Sequence, residues 1–310
     1  MSRPEGSAAG PAASPEPVDE HCRARPSEPL CPYVAWYTGY RQRGVPPARH
    51  RGLPSPFLTF IVTLDEPLVI LAHPDPGQQP GHFRTLLGGL HSAPALIAHQ
   101  GAQSGIQVAL RPLGTRALLG LPAGELAGID VPAEAVLSDL CSELRARVLA
   151  AAAWTERFAV LDEILLRRMN AAQLGVAPEI GWAWRQLLTS GGAILVSDLA
   201  EQTGWSGRHL ASRFREEIGL TPKAAARVIR FDRARRLLAR RATAATGPGY
   251  RLADLAATCG YFDQAHLARE FNALAGCPPS QWLAEEFGGE FRNVQAAGDP
   301  GEGAWADRTW

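Results

Sequence analysis

Arg208, Ser212 and Arg215 fall at steps of four and three, which puts them on one face of a helix. Leu210 and Phe214, also four apart, fall on the opposite, apolar face. Further along, Gln264, Ala265, Ala268 and Arg269 stand outward against an inward pair of Leu267 and Phe271, with Asn272 at the far end. An arginine can pair two donors with guanine O6 and N7, glutamine suits adenine, and a small side chain can meet a thymine methyl. This is chemistry for reading base edges, and it breaks no bonds. His209 and His266, beside the inward leucines, have two uses open to them: a phosphate contact, or packing and hydrogen bonding inside the fold.

Both sets sit in one repeated pattern, "GWSGRHLASRF" at 204–214 and "GYFDQAHLAREF" at 260–271. In the first copy, Ser197 can cap a helix that Gly204 ends, and Ser206 can cap the next. That is helix, tight turn, helix. Gly219 then stops the second helix, and Pro222 suits the first turn of another. The second copy repeats the plan with Leu255, Ala256, Gly260, Gly276 and Pro279. Its extra residue lies between Gly260 and Leu267, inside the turn, where insertion is tolerated.

Between the copies, "KAAARVIRFDRARRLLARR" at 223–241 predicts a helix that buries Val228, Phe231, Ala234 and Leu238. Its nineteen residues span ~28 Å at ~1.5 Å each. Adjacent major grooves on one face of a duplex lie ~34 Å apart. One chain can therefore carry two groove readers at a set separation. Arg227, Arg230, Arg233, Arg236 and Arg240 on this helix either touch phosphates or solvate it.

Charge supports that partner. The whole chain has no formal net charge, yet residues 191–280 hold thirteen Lys/Arg against eight Asp/Glu. That segment carries +5 and the remainder −5. A basic segment tethered to an acidic remainder suits a polyanion at one end only.

Residues 193–286 resemble the DNA-binding domain of the AraC/XylS family of bacterial transcription regulators. The matching stretches are "LAEQTGWSGRHLASRF", "GLTPKAAARVIRFDRARRLL", "LADLAATCGYFDQAHLAREF" and "GCPP". The resemblance implies a seven-helix domain of two helix-turn-helix units and a companion domain that senses a ligand or forms dimers. Ala225 departs from an aromatic common in the family, and Glu270 places an acid in the second reading helix.

The expected class is α+β. Short apolar runs over 34–112, separated by turn residues, predict a small β-barrel or sandwich, cupin-like if closed, with helices following. The expected divisions are a disordered leader at 1–30 and a β-rich sensor at 31–113. A helical dimerisation region at 114–192, the DNA-binding domain at 193–286 and a flexible tail at 287–310 follow. Helices are predicted over 133–150, 154–169 and 179–190. "YTGYR" and "GIQVALRPLG" are also similar to the sensor halves of some family members, and Trp36, Tyr37, Tyr40, Phe57 and Phe60 are candidates for core or for an apolar pocket.

The competing reading is a metal-dependent enzyme or metal sensor built on His82, His91 and His99, whose spacing fits no short metal motif. Five scattered cysteines without a CxxC pair predict reduced thiols. The most apolar stretch is interrupted by Asp65 and Glu66, short of the ~18 residues a membrane span needs, and the N-terminus lacks a signal-peptide core. The expectation is a cytoplasmic, non-enzymatic regulator without a cofactor. Its partners are double-stranded DNA and, compatibly, RNA polymerase, a small-molecule effector and a second copy of the chain.

Overall fold

The computed structural model describes residues 16–169, 175–243 and 251–287. Strands rich in β-branched and aromatic residues come first. They are β1 (Val18–Ala24), β2 (Val34–Arg43), β3 (Ala48–Gly52), β4 (Leu58–Thr63) and β5 (Leu68–Ala72). There follow β6 (Gly81–Phe83), β7 (Thr85–Gly88), β8 (Ala95–His99), β9 (Ala102–Leu110) and β10 (Asp130–Val131). All pairings are antiparallel, in one sheet ordered β1-β2-β9-β4-β7-β10 and another ordered β3-β8-β5-β6.

Two open sheets thus replace the expected closed, cupin-like barrel. Strand spacing announces how many strands there are, whereas closure depends on tilt and register between distant strands. A second correction concerns the leader. β1 falls within residues 1–30 and pairs along its length with β2, and Gln42 donates to the Asp19 carboxylate at 2.9 Å. A Pro- and Glu-rich composition hid an edge strand. The remainder of the leader, residues 1–15, lies outside the described residues.

The helices are α1 (Thr115–Leu119), α2 (Glu134–Leu137), α3 (Asp139–Ala150), α4 (Trp154–Arg168) and α5 (Pro178–Thr189). They continue with α6 (Val196–Thr203), α7 (Gly207–Ile218), α8 (Pro222–Thr243), α9 (Leu252–Thr258), α10 (Gln264–Ala275) and α11 (Pro279–Phe287). The single helix expected over 133–150 is broken at Ser138, whose φ is +47°. Thr85 donates to the Glu134 carboxylate at 2.6 Å, which ties α2 to the sheet before α3 departs.

Strand alternation gives the larger sheet two unlike faces. Tyr37, Phe60 and Val62 share a core with Phe158 and Leu161 of α4. Tyr37 stacks on Phe158 at 5.7 Å and donates to Asp162 at 2.7 Å. Trp154 presses onto β2 at Gly39, where any Cβ would overlap the indole ring. Tyr40, Thr59, Ile61 and Gln107 turn the other way, toward the smaller sheet. Trp36 and Phe57 pair edge to face at 4.6 Å.

The helix-side core is continuous with the C-terminal helices. α5 belongs with them: its Trp184 ring lies 6.1 Å from Phe214 of α7. The helical unit therefore begins upstream of residue 193. The seven helices implied by the family resemblance are α5 to α11, among the described residues.

Candidate nucleic-acid interface

The first unit closes as its residues dictate. Gly204 takes the left-handed conformation (φ +68°) that ends α6, and the Ser206 hydroxyl caps α7 by accepting from the His209 backbone N–H at 3.2 Å. Leu210 and Phe214 are fully buried, which leaves Arg208, Ser212 and Arg215 exposed on the far side. One local detail differs from expectation. α6 starts at Val196 after Leu195, and the Ser197 hydroxyl bonds to Asp198 instead of capping the helix.

The second unit uses different parts. Gly260 (φ +74°) makes the turn, but the cap is Asp263, whose carboxylate accepts from the His266 N–H at 2.6 Å. Ser206 lies two residues after its turn glycine and Asp263 lies three after. The inserted residue is therefore Phe262. Its side chain is 92% exposed. Gln264, Ala265 and Arg269 are exposed on α10, while Leu267 and Phe271 are fully buried.

Between the units α8 runs for 22 residues, longer than the sequence pattern predicts, and spans ~33 Å at ~1.5 Å per residue. Val228, Phe231, Ala234 and Leu238 form its buried stripe as expected, and Phe231 meets Phe271 at 5.0 Å. Ala225 is buried too.

A family model agrees with this geometry over the C-terminal helices. The model of a helix-turn-helix domain matches residues 199–285. Residues 199–285 are an AraC-type helix-turn-helix domain. The model of a "Domain of unknown function (DUF6597)" matches residues 22–132. The uncharacterized HTH-type transcriptional regulator YbfI of Bacillus subtilis is 35% identical over 74 residues, which are 24% of this chain and 24% of that protein. The match thus spans about a quarter of the curated relative's length. Among solved structures, an apo variant of ToxT from Vibrio cholerae is 11% identical at a TM-score of 0.48, covering 80% of this chain and 96% of that one. The C-terminal domain of AraT, a response regulator from Geobacillus stearothermophilus, is 18% identical at a TM-score of 0.32, covering 38% and 94%.

Most charge on the linking helix of the AraC-type domain is used internally. Arg227 binds Glu270 at 2.7 Å, so the acid that seemed misplaced in the second reading helix is drawn back toward α8. Arg230 donates to the Gly192 carbonyl at 2.6 Å. Buried Asp232 sits between Arg235 and Arg236 at 2.7 and 2.8 Å. The two histidines also have work within the fold. His209 lies edge-on to Trp205 at 4.5 Å, and His266 lies edge-on to Tyr261 at 5.4 Å while its Nδ1 accepts from the Phe262 N–H. Burial pushes the Cys259 and Cys141 thiols up to about 11, against a reactive thiolate at either place.

Ion pairs add to the shared core in joining the AraC-type domain to the N-terminal half. Arg116 of α1 donates through Nε and an Nη to both oxygens of Glu217, each at 2.8 Å. Glu217 is 3% exposed, and it holds the Arg116 guanidinium above its ordinary range. Arg51 of β3 pairs with Glu285 of α11. Sequence reasoning missed Phe262 and the Arg116–Glu217 bond. The first was signalled by the one-residue difference between the copies, the second by nothing local.

His82, His91 and His99 are not gathered. No group of three His, Cys, Asp or Glu side chains among the described residues could hold a metal ion. No helix among the described residues is long and apolar enough to cross a membrane.

Proposed function

We propose that this chain is a sequence-specific transcription regulator of the cytoplasm with no catalytic activity of its own. It inserts α7 and α10 into neighbouring major grooves of double-stranded DNA. A small-molecule effector bound to the strand-rich half controls it, with RNA polymerase and a second copy of the chain as compatible partners. The supporting observation is the tandem of capped helices with exposed Arg208, Ser212, Arg215, Gln264, Ala265 and Arg269, joined by a helix of ~33 Å. Arg208 and Arg269 read guanine or hold phosphate, Gln264 suits adenine, and His209 and His266 brace the turns beside the backbone. Exposed Phe262 lies against a thymine methyl, which would account for a large apolar side chain left in water at the tip of a turn.

Selection of bound duplexes from a random pool tests this. Arg208→Ala and Arg269→Ala should each weaken the selected site by about 1–3 kcal/mol. Each should relax preference at one position, the two positions lying about one helical turn apart. Affinity should fall steeply as salt rises. Failure to retain any duplex at low ionic strength would sink the proposal.

A further inference from the structure

We propose that Arg227 is a positioning residue for DNA reading: by holding the Glu270 carboxylate it keeps the negative charge of α10 off the phosphate backbone. The proposal rests on reading α10 as a groove-reading helix. It names a residue outside both reading faces that sets how tightly that helix binds.

A helix lying in the major groove has phosphates along both flanks, so an acid on its side is repelled unless something cancels its charge. The two reading helices nevertheless carry three acids, Glu216 and Glu217 on α7 and Glu270 on α10. Each is bound by an arginine that belongs to neither reading set. Arg213 donates to Glu216 at 2.7 Å, Arg116 forks onto Glu217 at 2.8 Å, and the Arg227 Nε donates to Glu270 at 2.7 Å. Arg208 and Arg215 on α7 and Arg269 on α10 are left as the cations of the exposed faces.

The three pairs differ in what they guard. Glu217 is buried against the N-terminal half, out of reach of DNA. Arg213 and Glu216 are both exposed and three apart on one helix, where such a pair is weak and screened. Glu270 stands in the middle of its reading helix, directly after Arg269, and its partner comes from another helix 43 positions away. Its side chain is 18% exposed and that of Arg227 33% exposed, so the carboxylate is the more enclosed of the two. Attraction between charges partly shielded from water counts for more than on an open surface.

The grip of α8 on α10 does not depend on this pair. Phe231 meets Phe271 at 5.0 Å, and Leu267 and Phe271 are fully buried. Loss of Arg227 therefore releases the carboxylate without releasing the helix. A freed Glu270 regains water on the flank of α10, about 100° round the helix axis from Arg269. From there its charge opposes the phosphate contacts that Arg269 and its neighbours need.

The test compares the full chain with Arg227→Ala, Glu270→Gln and the double variant on the duplex that the wild type selects, at temperatures well below each melting point. Arg227→Ala should weaken binding about tenfold, and its log–log salt slope should shrink by about 0.9. Glu270→Gln keeps an acceptor for Arg227 without the charge and should bind at least as tightly as the wild type. The double variant should return to within about threefold of the wild type and recover its salt slope. Arg227→Lys, which keeps the charge and disturbs packing least, should also stay within about threefold. On a shorter duplex that ends before the α10 half of the site, all forms should bind alike.

A double variant as weak as Arg227→Ala would make Arg227 a phosphate contact or a structural brace and overturn the proposal. Arg227→Ala binding like the wild type, Glu270→Gln binding more weakly, or a loss in Arg227→Ala that persists on the shorter duplex would each overturn it too. All of these leave DNA reading by the two helices standing. Retention of no duplex by the wild type would instead remove that reading, and this inference with it.

Discussion

The two helix-turn-helix units share a plan and differ in what holds them. α7 is gripped from behind by the strand-rich half: Arg116 forks onto buried Glu217, and the carbonyls of Arg215 and Glu216 crowd Gly124 so closely that a Cβ there would not fit. α10 is steadied from the linking helix, through Arg227 on Glu270 and Phe231 on Phe271. Its unit meets the strands at the periphery, by Arg51 on Glu285 and Pro94 beside Gly276. A repeated motif therefore fixes local shape in both copies, while residues far away in sequence decide how each copy is aimed. The first unit takes its bearing from the N-terminal half and the second from α8.

Core truncation gives the largest effect. Phe214→Ala and Phe271→Ala should each destabilise by about 3–5 kcal/mol in denaturant titrations. Hydrogen exchange should separate them. Phe271→Ala loosens residues 251–287, while Phe214→Ala also loosens α5 through Trp184. Identical exchange maps would erase the proposed difference in support.

Next in size is Arg116→Ala, which leaves Glu217 buried without its partner. Because Arg116 itself is partly exposed, the expected loss is about 2–3 kcal/mol. Arg51→Ala removes a more exposed pair and should change unfolding by at most about 1 kcal/mol. Equal losses would mean that both units are fastened alike. Phe262→Ala should weaken the selected DNA by about 1 kcal/mol, and replacing the contacted thymine by uracil should weaken the wild type similarly. The uracil effect should vanish in Phe262→Ala, and its persistence there would assign the methyl contact to another residue. The caps come last. Ser206→Ala and Asp263→Ala should each cost about 1 kcal/mol of stability. The aspartate should be slightly the more costly because its charge faces a helix N-terminus.

These contrasts also mark what could be read from the sequence. Turn glycines 204, 219, 260 and 276, the Ser206 cap and the inward pairs Leu210–Phe214 and Leu267–Phe271 are local signals, each decided within four residues. The outward faces of α7 and α10 follow from them, so the candidate interface was legible almost whole. Phe262 was visible only as a one-residue mismatch between copies. In the strand-rich half the signals are non-local. β1 needed the edge of β2, the sheet order needed pairing between β2 and β9, and Glu217 needed an arginine about a hundred positions earlier. Alternation showed that Thr59 and Gln107 lie on one face of their strands but could not show that the face looks onto open space.

Strand β3 is worth following to its end. Its neighbours His50 and Arg51 point opposite ways, one into the gap between the sheets and the other onto Glu285 of the last helix. The strand is five residues long and paired along one edge to β8. One short strand edge thus serves two neighbours at once, through side chains on its opposite faces.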